Sequence, residues 1–149
     1  METYFFTLAD GGGIKPGDNW YQDGVVILKE VERNMEAILT LAIVRKEKPR
    51  ICIEAVMNWS HFLLYESPRS EIIRLSLRLA ESEQLNNLLA RCLQMLGDIL
   101  YRLEHYDESQ QMLSDSQAIF EIIVINDVNL EYLCNKLPGI IFVLRHGDD

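Results

Sequence analysis

The sequence predicts an all-α protein built largely from antiparallel helix pairs. Three observations point there. Apolar residues recur at steps of three and four through most of the chain. No segment alternates polar and apolar residues between hairpin turns. The run Leu96-Gly97-Asp98-Ile99-Leu100 returns in degraded form 41 positions later, a spacing within the range of helical repeats. With 149 residues and 48% apolar content, the chain can build one real core but not two independent ones.

Glu2 to Ala9 reads as a short aromatic helix, with Tyr4, Phe5 and Leu8 at helical spacing. Gly11-Gly12-Gly13 breaks it, and a loop continues to Asn19. From Trp20 to about Lys46 a long helix is expected, with Val25, Ile27, Leu28, Val31, Met35, Ile38, Leu39, Ala42 and Ile43 on its buried face. Lys48-Pro49 punctuates. The next helix runs from Arg50 to Tyr65, with Cys52, Val56, Trp59 and Leu63 on one face. Ser67-Pro68 is a start signal, because a serine hydroxyl accepts from first-turn N–H groups and proline is pre-set for the first helical position. Leu75, Leu77 and Leu79 alternate as in a strand, but the start signal and a length of about 14 residues favour a helix. A strongly amphipathic helix follows from Ser82 to Leu103, carrying Leu85, Leu89, Cys92, Leu93, Leu96, Ile99, Leu100 and Leu103. Asp107, with Gln110 three residues on, forms a capping box for a helix that ends near Val124 to Asn126. A last helix is expected from Val128 to Leu144, kinked at Pro138. These elements divide the chain into an N-terminal extension, 1–47, and a repeat region, 48–149.

Composition narrows the function. Twenty-three acidic and fourteen basic side chains give a formal charge of −9, with the acids scattered. Such a surface repels duplex nucleic acid, which is bound through clustered Lys and Arg. No apolar run reaches the ~18 residues of a membrane span, and Met1 to Asp10 lacks the basic start of a secretory signal. The expected location is cytoplasmic, without nucleic-acid or membrane partners.

Cys52, Cys92 and Cys134 lie about 40 residues apart and form no C-x-x-C pair. A composite metal site with His61, His105 and His146 would need ligands within about 2 Å of one ion. Successive helices pack ~10 Å apart, so each cysteine is read as a small buried residue of its own helix. Gly12 and Gly17 have the glycine spacing of a phosphate-binding loop, yet Asp18-Asn19 stand where Lys and Ser/Thr would be required. His61 near Asn58 and Glu54 lacks an evident nucleophile, and Glu30, Glu32 and Glu36 read as a solvated helix face. No catalytic, cofactor or metal residue is assigned.

From Ala90 to Glu121 the chain resembles a tetratricopeptide repeat: Leu93, Leu96, Gly97 and Leu100 match its first helix, Tyr106 its turn aromatic, and Ser109, Leu113 and Ser116 its second helix. Serines stand where that family usually has alanine, and its closing proline is absent at Glu121. The partial copy from Leu137 stops at Asp149, giving about 2.5 repeats with an incomplete last one. An earlier copy, Arg50 to Glu81, keeps the two-helix length but few signature residues. Tyr4-Phe5-Phe6-Thr7-Leu8-Ala9 and Val31-Glu32-Arg33-Asn34-Met35-Glu36-Ala37-Ile38-Leu39 are similar to the helices joining nucleotide-binding core to repeat array in fungal STAND-class NTPases of the NB-ARC or NACHT type. The resemblance implies a sensor arm without its motor: a non-catalytic scaffold that binds a protein or peptide and neither hydrolyses nor tightly binds ATP.

In such a scaffold the ligand meets the first helix of each repeat. Arg91, Gln94, Asp98, Tyr101 and His105 advance by 3, 4, 3 and 4 residues and form one stripe opposite the apolar face. Glu54, Asn58, His61 and Tyr65 precede them by about one repeat, and Tyr132, Asn135, Phe142 and His146 follow. Tyr, Arg, Asn and His are residues that binding surfaces favour. The alternative is a truncated repeat remnant whose last helix exposes Leu133, Leu137, Ile140, Ile141 and Leu144 and self-associates through that face.

Overall fold

Five helices follow one another in the computed structural model, which describes residues 21–136 and side chains from 23 to 126: α1 (Tyr21–Arg45), α2 (Pro49–Glu66), α3 (Glu71–Ser82), α4 (Asn86–Arg102) and α5 (Tyr106–Lys136). The described residues contain no strand, so the all-α expectation holds. The first helix at Glu2 to Ala9, the kink at Pro138 and the partial repeat from Leu137 lie outside the described residues. Among the described residues no helix is long and apolar enough to cross a membrane.

The apolar stripes meet in one core. Met35 and Leu39 of α1, Cys52, Val56, Trp59 and Leu63 of α2, Ile73 and Ala80 of α3, and Cys92, Leu96 and Ile99 of α4 are fully buried. The α1 stripe therefore shares the core of the helices that follow it. Ile27 departs from its expected burial, at 54% exposure. Leu75 and Leu77 pack against the core on a helix, so their alternation was no strand signal.

Three of the four turns close alike. Lys46, Gln84 and Glu104 take positive φ of 53, 54 and 63°. In each, the next residue's N–H reaches back five residues: Glu47 to the Ala42 carbonyl, Leu85 to Ala80, and His105 to Leu100. This left-handed closure normally favours glycine, and here charged or amide residues adopt it. The turns at Gln84 and Glu104 carry no Gly or Pro signal. The helix expected over Ser82 to Leu103 accordingly begins only at Asn86, after a break at Glu83-Gln84-Leu85.

Other helix ends also differ. Ser67 does not start a helix: its N–H bonds to the Leu63 carbonyl and closes α2, and α3 begins at Glu71 after Ser70. Asp107 is no cap, because α5 starts at Tyr106 and the Ser109 N–H bonds to the His105 carbonyl. Asp107 and Glu108 fall in the first turn, where negative charge suits the helix dipole. The expected end near Asn126 and new start at Val128 are absent: α5 runs unbroken to Lys136. Asn126-Asp127 contains neither Gly nor Pro, and a β-branched residue costs a helix only a few tenths of a kcal/mol.

Each helix packs on the next, and α1 also meets α3 as α2 meets α4. Ion pairs tie α1 to the α2–α3 junction: Lys29 to Glu66 at 2.7 Å, and Arg69 to both Glu32 and Glu36. Glu36 thus belongs to a half-buried cluster, not to a freely solvated face. Burial raises its pKa against the opposing pull of Arg69. The α4–α5 pair is the most extensive contact. Gly97 admits Leu113 there, and two buried serines bridge the helices: Ser109 Oγ donates to the Gly97 carbonyl and Ser116 Oγ to that of Ala90, both at 2.7 Å.

Candidate binding surface on α2 and α4

Because α2 and α4 pack side by side, polar residues 37 positions apart in sequence become neighbours. Asp98 on α4 lies within electrostatic reach of His61 on α2. Burial raises the Asp98 pKa above the usual carboxylate value, and the neighbouring His61 works in the opposite direction. One turn further, the Arg102 guanidinium stands over the Tyr65 ring, 5.5 Å from its centroid. Such a stacked cation contributes about 0.5–1 kcal/mol at an exposed site.

The two stripes read from the sequence thus adjoin along one edge. Asn58 and His61 are half-buried, while Tyr65 is exposed. On α4, Arg91 is half-buried and Gln94, Asp98, Tyr101 and His105 are exposed. Tyr101, at 62% exposure, meets the Tyr106 ring edge-on with centroids 5.4 Å apart. His105 sits at the α4–α5 turn with Nδ1 4.0 Å from Glu108 Oε2. Gln94 faces away from α2 and lines an apolar groove of about 710 Å³ with Leu113, Phe120, Val124 and Ile125 of α5. Glu54 is exposed on α2. The side chains of Tyr132, Asn135, Phe142 and His146 lie outside the described residues.

Two parts of this region escaped the sequence reading. Arg102 was legible as the residue four beyond Asp98, on the same stripe. The groove was signalled by Ile122-Ile123-Val124-Ile125, more apolar residues in succession than one helix face can bury.

The described cysteines lie apart from this surface. Both are packed in the core, where burial pushes Cys52 up to about 11 and Cys92 to about 12 and holds them protonated. The Cys52 thiol donates toward the Leu39 carbonyl at 4.0 Å. No three His, Cys, Asp or Glu side chains among the described residues are grouped to hold a metal ion. What the surface offers is aromatic faces, guanidinium donors, an amide and a carboxylate on two adjacent helices. No protein-family model, curated protein or solved structure matches the chain.

Proposed function

We propose that the protein is a non-catalytic cytoplasmic scaffold of the tetratricopeptide type, which binds a peptide or protein segment along the α2–α4 surface. The observation that carries this reading is the juxtaposition of His61 with Asp98 and of Tyr65 with Arg102. It merges two sequence-distant stripes into one polar, aromatic-bearing face. Further support comes from the neighbour pattern, in which α1 meets α3 and α2 meets α4, as stacked helix pairs require. The close Gly97–Leu113 approach is what the repeat's small-residue position provides.

Tyr and Arg dominate the binding energy of many interfaces, and here Arg91, Tyr101, Tyr65 and Arg102 supply them. The partner segment is one that can accept from the guanidinium groups and stack on the tyrosines. As in the arm of a STAND protein, binding needs no nucleotide. Selection of peptides from a random displayed library on the wild-type chain, followed by rebinding to an Arg91→Ala/Tyr101→Ala variant, tests the reading. Selected peptides should lose at least about tenfold in affinity on the variant. Equal affinity for both proteins would refute the assignment of the surface, and micromolar ATP affinity by calorimetry would refute the motor-less scaffold.

A further inference from the structure

We propose that the partner segment of the α2–α4 surface is basic, and that one of its Lys or Arg side chains seats its charge against the Asp98 carboxylate and the Tyr101 ring. The inference rests on the reading of that surface as a binding face and names the chemistry it selects. Asp98 is exposed, yet neighbouring atoms strip its carboxylate of part of its water. Losing water strengthens the pull of such a charge on a cation beside it. The chain carries a cation within reach, since Arg102 lies four residues on, a spacing at which Asp and Arg side chains meet on a helix. The Arg102 guanidinium lies instead over the Tyr65 ring. Asp98 therefore makes no ion pair with a Lys or Arg among the described residues. The group that acts on it from α2 is His61, an imidazole and not a permanent cation.

The surroundings of this carboxylate suit a cation from outside the chain. Around the α4 axis, Asp98 stands between Arg102, turned to Tyr65 of α2, and Tyr101, turned to Tyr106 of α5. Tyr101 and Tyr106 meet edge-on, and at 62% and 56% exposure both keep ring surface open to solvent. A Lys or Arg side chain placed here gains a charge-assisted hydrogen bond to the carboxylate and the attraction of the Tyr101 ring face together. Arg102 on Tyr65 is the same kind of contact, made within the chain. Its guanidinium can still donate to backbone carbonyls of the segment, so a basic peptide suits both ends of the site. An acidic segment would instead bring a second carboxylate up to Asp98. The formal charge of −9 acts in the same direction, drawing basic segments and repelling acidic ones before contact.

Peptides selected on the full wild-type chain from a random displayed library, at neutral pH and about 150 mM salt, should share a Lys or Arg at one position. Replacing that residue by Gln should weaken binding to wild type about tenfold and binding to Asp98→Asn hardly at all, and Asp98→Lys should prefer the same peptides with Glu there. Asp98→Asn keeps the side chain's shape at an exposed position, and circular dichroism verifies its fold. Glu30→Gln, which removes the same charge from an exposed site on α1, should leave affinity as it is. Selected peptides without a shared cation, or with equal affinity for wild type and Asp98→Asn, would overturn the inference; if they still fail on Arg91→Ala/Tyr101→Ala, the binding surface stands without it. Peptides that bind Arg91→Ala/Tyr101→Ala as tightly as wild type, or a library that yields no binder, would overturn both.

Discussion

Adding one methyl group at Gly97 sets helix propensity against close packing. In a helix interior, Gly→Ala ordinarily stabilises by about 1 kcal/mol. Here the new Cβ would lie 2.7 Å from Leu113 Cγ, 2.8 Å from its Cδ2 and 3.3 Å from the Ser109 carbonyl oxygen. Leu113 is partly exposed and can turn away. The Ser109 backbone has less freedom, because its own Oγ is bonded to the Gly97 carbonyl at 2.7 Å. Overpacking costs roughly 1–3 kcal/mol, and stretching that buried hydrogen bond costs about 1 more. After the propensity gain, Gly97→Ala should destabilise the chain by about 1–3 kcal/mol. Urea unfolding followed by circular dichroism measures this directly. In a Leu113→Ala background the two closest contacts disappear, and the penalty should shrink by at least ~1 kcal/mol, a coupling usual for touching side chains. A Gly97→Ala variant more stable than wild type, or a penalty unchanged by Leu113→Ala, would refute the close approach of α4 and α5.

Further outcomes follow from the turns, the buried hydroxyls and the raised carboxylate. Gln84→Gly and Glu104→Gly should each stabilise by about 0.5–1 kcal/mol, since a left-handed non-glycine residue costs about 1–2 kcal/mol and the added chain entropy offsets only part of that; Gln84→Ala should bring no such gain in thermal unfolding. Ser116→Ala should cost about 1 kcal/mol by deleting the bond to the Ala90 carbonyl, whereas Ser76→Ala should be neutral or stabilising, because the buried Ser76 hydroxyl has no partner among the described residues. The raised Asp98 pKa means that the folded state holds that proton more tightly than the unfolded chain. Its stabilising share is complete below the unfolded value of 3.8 and is lost as pH rises through the folded value. Asp98→Asn should therefore gain stability over wild type near pH 7, with the gain vanishing on acidification in urea titrations run across that range, and His61→Gln should raise the Asp98 pKa further by removing the opposing influence.

Which features were legible in the sequence follows from the physics of each. The buried faces of α2 and α4 could be read directly, because Cys52, Val56, Trp59 and Leu63, or Cys92, Leu96 and Ile99, leave a periodic record wherever a helix buries one side. Gly97 and Leu113 stood out for the same reason: close approach restricts residue size. Helix ends were less legible. The closures at Lys46, Gln84 and Glu104 rest on backbone geometry that these side chains merely tolerate, and Ser67-Pro68 carries start chemistry at a place where the chain is still leaving α2. The unbroken α5 was hidden because a repeat spacing suggests a turn at Asn126 that no residue enforces. On the candidate surface, the period identified each stripe, but only packing shows that Asp98 meets His61 and Arg102 covers Tyr65. Pairing between helices depends on crossing geometry, which single-chain periodicity does not encode.

The central claim, that one continuous α2–α4 face receives a peptide, is tested most directly by amide NMR of the full chain titrated with a library-selected peptide. The account predicts saturable shifts confined to the neighbourhood of Asn58, His61, Tyr65, Arg91, Asp98, Tyr101 and His105, all with one dissociation constant. Shifts centred instead on the outer faces of α1 and α3, with those residues unmoved at saturation, would contradict it.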